Sequence, residues 1–449
     1  MVDALNVSAE VIAAIFGIAV TVVAIIVQLA ATRYNHQITA MFIRGPVNIF
    51  CQSMFVGVTL LCIWIAAYPE RTQHLHLVAL VCVTIALISL LPYFGYVFTF
   101  ISPLNVIKRV SRQAAKAIKK QDARLATRTI DQLQDIARSA IDQGDRAIAL
   151  AAVESIQALF DQYRTAKPSL DEFWFLASNL KNDPDFVSFE AGALDNLVQS
   201  GLWFEAKILH QFLNIIWLAT PNMRDVAASV GIATRKIAVK HIDDDQLFDL
   251  CCVGMNSLLR ACINSRDARS TYHLLSQYRG LAEASLARQE ADKVEKVAGH
   301  IGRYGNLAYS TDQFFILEVA AFDLARIIEQ AYRQLPDSVD NLLEDFLNLD
   351  QTVRSEAQEQ TLIGVRRAQI QVATFFLAEN AEHQVNLVVT DLLDEDQQRL
   401  ERIIDALASE TQDIFWEFTP RGVNFNYLAP ELRLQLPELT RLLTQSRAG

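Results

Sequence analysis

Three uncharged apolar runs open the chain, at 11–31, 47–68 and 77–101. Each meets the requirement of about 20 apolar residues for crossing the hydrocarbon of a bilayer. Their β-branched content would suit strands in water, but in lipid a spanning segment must satisfy its own backbone, so helices are predicted. The first run is expected to be a retained span and not a cleaved signal. The opening MVDALNVSAE has no Lys or Arg, and the run is longer than a signal core. From Leu104 onward the period changes to that of amphipathic helices, as at Val106, Val110, Ala114 and Ile118. Strand-like alternation with hairpin turns is not seen.

Four stretches, 137–156, 196–215, 260–279 and 373–392, share one design: an apolar helix end, a short polar turn, then a second apolar helix. Turns this short fold consecutive helices back as antiparallel hairpins. The predicted fold is therefore all-α: a bundle of three transmembrane helices, then a large cytoplasmic helical domain of degenerate, α-solenoid-like hairpins. An irregular bundle without a groove is the alternative. The spacing reads as irregular, and the Gly302–Gly305 stretch reads as the main internal break. The expected domains are 1–102, 103–303 and 304–449.

Charge fixes the expected topology. Lys108, Arg109, Arg112, Lys116, Lys119 and Lys120 follow the third run with no acid before Asp122, which places that end in the cytoplasm and the N-terminus outside. The same six residues are candidates for contact with anionic lipid headgroups. The net charge of −11 lies wholly after residue 102, a balance that argues against nucleic acid as a partner. The expected partners are the bilayer, further copies of the chain as a homo-oligomer, and cytoplasmic proteins.

The third run carries Pro92, Phe94, Gly95 and Phe98. It reads as a kinked anchor with an interfacial aromatic belt, or as a pore-lining helix with a hydrophobic gate. Gln28 and Gln52 are the polar residues expected to bond across helices. Residues 35–46 read as a short amphipathic segment lying at the interface. Near the C-terminus, Phe415, Trp416, Arg421, Phe425 and Tyr427 surround a Pro- and Gly-broken stretch, read as a segment that docks across the helices or a neighbouring subunit.

Six cysteines sit in apolar surroundings without metal-ligand spacing and read as free thiols. The run Asp243–Asp245 beside His241 reads as an acidic helix start. No phosphate loop, dinucleotide, metalloprotease, hydrolase or kinase motif occurs, so no enzyme activity, catalytic residue, cofactor or metal is expected.

The hairpin stretches resemble tetratricopeptide-type repeats without their diagnostic Trp, Gly and Tyr set. More broadly, VAIIVQLAATRYN, the three-helix opening and the ending FWEFTPRGVNFNYL resemble an uncharacterised bacterial family of predicted inner-membrane proteins with a domain of unknown function. That resemblance implies a bacterial inner membrane and assigns no activity. The functional expectation is an oligomeric membrane-anchored interaction or scaffold protein. The alternative is a homo-oligomeric ion channel lined by the third helix and gated by the cytoplasmic body.

Overall fold

The computed structural model describes residues 2–33, 42–68, 72, 75–176, 180, 183–350, 359–416, 419 and 421–448. Among them the regular structure is helical and no strand is formed; an isolated antiparallel bridge joins Ile414 and Val423 in the irregular stretch before the last two helices. It divides into two compact units, 1–174 and 175–449. The expected boundary at 102/103 falls between two helices of the first unit.

The first unit begins with the three apolar helices, α1 (Val2–Arg33), α2 (Pro46–Ala67) and α3 (His76–Ile101). All three pack on one another around Ile12, Phe55, Cys62, Ile65 and Val83. Phe16 stacks on Phe55 at 4.8 Å. Pro46 stands in the first turn of α2, where its missing N–H costs no bond. Pro92 lies inside α3, and the helix runs through it. A polar bond joins α2 and α3: the Tyr93 hydroxyl donates to Asn48 at 2.7 Å, with Asn48 buried.

Three amphipathic helices follow, α4 (Pro103–Lys119), α5 (Ala123–Asp142) and α6 (Arg146–Ala166), packed as two successive antiparallel hairpins. The buried stripe of α4 holds Val106, Val110, Ala114 and Ile118, as the spacing predicts.

The second unit holds α7 (Ala191–Gln199), α8 (Trp203–Asn222), α9 (Arg224–Lys240), α10 (Asp245–Asn264), α11 (Ala268–Ala287), α12 (Ala291–Tyr309), α13 (Phe314–Gln334) and α14 (Val339–Leu347). It continues with α15 (Ile363–Ala378), α16 (Glu382–Leu392), α17 (Gln397–Ser409), α18 (Pro430–Arg433) and α19 (Leu436–Ala448). Length and composition would let α10 cross a membrane too, but 56% of its apolar window is buried inside the protein, against 22% for each of the first three spans. It is a core helix of the repeats.

The four predicted hairpin turns are all present, and a common device builds them. A residue in the left-handed region ends the helix: Gly144, Gly201, Arg266 and Asn380 at those four, and Gln121, Gln289 and Asp312 at three more. The next N–H then closes on the carbonyl five residues back, as in Asp122 to Ala117, Asp267 to Cys262 and Glu290 to Ser285, at 2.9–3.1 Å. This is the Schellman closure, which satisfies carbonyls that the helix end leaves open. In several turns the following residue caps the next helix, Asp122 accepting from Leu125 N at 3.0 Å and Asp145 from Ile148 N at 3.3 Å.

The spacing is more regular than the sequence reading expects. The residues preceding α10, α11, α12 and α13 are Asp244, Asp267, Glu290 and Gln313, each 23 positions after the last. Side-chain bonds recur near the doubled interval: Arg279–Asp323 across 44 residues and Lys296–Asp249 across 47 join alternate helices, and Arg288–Asp243 across 45 joins alternate turns. The two-helix repeat is therefore about 46 residues, longer than the 34 of a tetratricopeptide repeat.

Gly302 and Gly305 do not break the chain; both lie inside α12. A Cβ on Gly305 would stand 2.6 Å from the Ala320 Cβ of α13. The glycine is there for close helix approach, and the same pattern in sequence cannot be told from a breaker.

Candidate functional site

Two concave places among the described residues of the second unit are large enough to receive a partner or ligand. The first is a groove of about 1070 Å3 between α8 and α10, walled by Phe186, Phe189 and α7. Its lining is largely apolar, with Leu209, Leu213, Leu250 and Val253 along it, and Val253 is 59% exposed. None of the residues of α7 is buried. A buried cation pins the turn that carries the aromatic wall. Lys207 on α8 reaches Asp183 at 2.7 Å and Asp185 at 2.5 Å. Gln211 also donates to Asp185. Burial pushes the Asp185 carboxyl up, but bonds from His210 and Lys207 outweigh it and hold the group well below the usual range. With that turn fixed, Phe186 is buried and Phe189 meets it edge-on at 5.2 Å.

The second place is a cavity of about 430 Å3 under the C-terminal segment, lined by residues of α11, α13 and α15. Arg421 holds the segment down. It donates to Asp323 on α13 and, at 2.9 Å, to the carbonyl of Tyr272, and its guanidinium lies 4.4 Å from the centre of the Tyr272 ring. Phe425 packs on Phe322 at 4.3 Å. Gln371 on α15 donates to the carbonyls of Phe425 and Tyr427 at 3.0 and 3.2 Å. On the cavity wall Arg367 donates to Glu318 at 2.6 Å. Burial pushes the Glu318 carboxyl up, and Arg367 opposes it.

Of the five C-terminal candidates, Arg421 and Phe425 thus lie against the helices. Phe415 lines the cavity and stacks on Trp416 at 4.4 Å, while Trp416 itself is 66% exposed. Tyr427 lies 6.0 Å from the Arg433 guanidinium.

On α3 the outward face holds Pro92, Gly95 and Phe98, with Phe94 partly covered beside Tyr93. On α4 the basic set splits. Lys108, Arg112, Lys116, Lys119 and Lys120 are exposed and make no salt bridge among the described residues. Arg109 instead folds back over Phe100, 3.5 Å from its ring centre. Of the expected interfacial segment, 35–41 lies outside the described residues; Phe42 is buried and meets Phe100 edge-on at 5.2 Å.

The buried Asn48, which the sequence reading does not single out, bonds across spans, whereas Gln28 is exposed and Gln52 donates to Asn48 on its own helix at 3.4 Å. An amide in an otherwise apolar run was the signal. A buried ionic cluster was missed as well. Arg366 on α15 bonds to Asp350 and, at 3.0 Å, to Glu395, while Arg399 bonds to Glu395 at 2.7 Å. Asp391 stands 3.8 Å from Arg366, and burial together with the nearby Asp350 pushes its carboxyl up to about 7. Among the described residues no group of His, Cys, Asp and Glu is placed to hold a metal ion. The acid run of 243–245 is engaged otherwise: Asp244 caps α10, and Asp245 pairs with Lys293 at 2.7 Å.

Together these features define a membrane protein with three apolar spans followed by all-α helical repeats. Residues 1–161 match the family described as "Predicted membrane protein (DUF2254)". No curated protein matches. Among solved structures, a "circular tandem repeat protein with novel repeat topology and enhanced subunit contact surfaces" is similar at 14% identity. The match covers 90% of this chain and 95% of the other with a TM-score of 0.31, too slight to bear on the fold.

Proposed function

We propose that this protein is a membrane-anchored interaction protein, oligomeric in its membrane, whose helical repeats recruit protein partners through the groove between α8 and α10. The observation that carries the reading is that groove. It encloses about 1070 Å3, and its lining is largely apolar with polar residues such as Asn196, Gln199 and Gln246 among it, a composition suited to the apolar face of an amphipathic helix, a recurring mode of recognition. The unpaired basic stripe of α4 supports a cytoplasmic placement of the repeats in a bacterial inner membrane, with the N-terminus outside, because cations of this kind remain on the cytoplasmic side and meet anionic headgroups. The test is co-purification of the full-length protein from its own membranes. A partner recovered with the wild type is expected to be lost with Val253→Arg and kept with Arg402→Glu, an exposed change on α17. An identical partner set in all three would refute the groove as the recognition surface.

A second reading is a homo-oligomeric channel lined by α3. The outward face bearing Leu91, Pro92, Gly95 and Phe98 favours it, since neither α1 nor α2 covers that face. The mass of the full-length protein in nanodiscs, with lipid subtracted, separates the readings. A single chain of 50.3 kDa would exclude a shared pore. A ring of several chains would call for flux measurements, in which Phe98→Ala is expected to change ion conduction.

A further inference from the structure

The cavity under the C-terminal segment has the composition of a small-molecule site. Its volume of about 430 Å3 falls within the range of ligand pockets, roughly 300–1,000 Å3. Four rings bound it, Phe415 among them: Tyr272 lies 5.9 Å from Phe315, and Phe315 lies 6.3 Å from Phe425 with the planes only 24° apart. A planar apolar body suits such walls.

The polar lining is built and asymmetric. The Glu318 side chain lies directly on Gly364 of α15, where a Cβ would stand 2.3 Å from its carboxyl carbon. The absence of that Cβ lets Glu318 lie flat and meet Arg367, so this ion pair is fixed in the wall. Arg269 is different. It lines the cavity, is exposed, and has no salt bridge among the described residues. It stands in the first turn of α11, whose N-terminus is already capped by the Asp267 carboxylate accepting from Ser270 N at 3.2 Å, so the Arg269 guanidinium and not the helix end is the free positive group there. Asn426 is also a lining residue. With Glu318 neutralised by Arg367, the surplus charge of the cavity is that of Arg269.

We propose that this cavity binds a small aromatic acid, its ring system against Tyr272, Phe315 and Phe425 and its anionic group at Arg269. This site is separate from the groove, and neither proposal depends on the other.

The test is equilibrium dialysis of naphthoate against the full-length protein in nanodiscs, with empty nanodiscs as the blank. The expected result is saturable binding above the blank at one site per chain. The neutral isostere naphthamide is expected to bind about tenfold more weakly, the loss of one charge-assisted hydrogen bond. Arg269→Glu is expected to weaken naphthoate binding by about the same factor or more, while leaving naphthamide binding unchanged. Val423→Trp, which fills the cavity from the segment side, is expected to abolish binding of both. Naphthoate at the level of the blank, equal binding of acid and amide, or binding unchanged by Arg269→Glu would each overturn the proposal.

Discussion

Arg421 closes on Asp323 across 98 positions of sequence, and both side chains are buried, at 2% and 0% exposure. Arg279 reaches the same carboxylate oxygen at 3.2 Å. This relationship ties an irregular C-terminal segment to the centre of the repeats, and it roofs the cavity proposed as a ligand site.

Removal of the guanidinium leaves Asp323 buried with half its compensation. Arg421→Ala is expected to destabilise the second unit by about 3 kcal/mol, the scale for breaking a buried pair. Limited proteolysis gives the local readout. The 410–428 segment is expected to become cleavable in the variant before the helices unfold. Cleavage kinetics equal to wild type would show that the pair does not hold the segment.

Asp391 gives a pH dependence with a definite sign. Its folded-state carboxyl is pushed up to about 7 from an ordinary 3.8, so the folded protein holds a proton that the unfolded chain releases. Stability should therefore fall as pH rises from about 4 to about 7. The urea midpoint is expected to be lower at pH 8 than at pH 5, and Asp391→Asn is expected to reduce the difference. A midpoint that rises over this range in the wild type, or falls equally in the variant, would contradict the assignment.

The two glycines of α12 should behave unequally. Gly305→Ala places a methyl 2.6 Å from the Ala320 Cβ and forces α12 and α13 apart, at a cost of about 2 kcal/mol. At Gly302 the nearest atom is the end of the Leu349 side chain at 3.4 Å, and Ala is expected to be tolerated. Thermal unfolding of the two variants side by side decides the matter; equal midpoints would mean that α12 and α13 do not approach as closely as described.

Asp122 caps α5 through Leu125 N. Asp122→Ala is expected to weaken the first turn by about 1 kcal/mol, while Asp122→Ser retains most of the cap. Hydrogen exchange at the amides of 123–126 reports the change. Unaltered protection in the alanine variant would remove the cap from the account.

The sequence made some of this fold legible and concealed the rest for physical reasons. The three spans were readable because lipid demands uninterrupted apolar length, and α4 because its stripe keeps the helical period. Four hairpin turns were visible where polar residues interrupt two apolar helices. The turns at Gln289 and Asp312 use the same left-handed non-glycine device as Arg266 and Asn380 but were not read; around Gln289 the polar run ARQEADKVEK continues into α12 and leaves no sharp apolar–polar–apolar break. Without them the 23-residue interval stays hidden, and Gly302 and Gly305 look like the break. Sites assembled across repeats were beyond reach. Nothing near Arg421 announces Asp323, and nothing near Lys207 announces that it pins the Phe186 turn. The aromatic richness of 415–427 showed that the segment needs cover, but not which helices supply it.

The central claim, recognition of a protein partner along the groove between α8 and α10, is tested most directly by site-specific photocrosslinking in the native membrane. A photoreactive phenylalanine analogue is placed at Val253, which lines the groove and is 59% exposed, and in a control at Arg402 on α17. A discrete protein adduct is expected from Val253 that is absent from Arg402 and is lost when Leu250→Glu is added beside the probe. No adduct at Val253, or the same adducts from both positions, would contradict it.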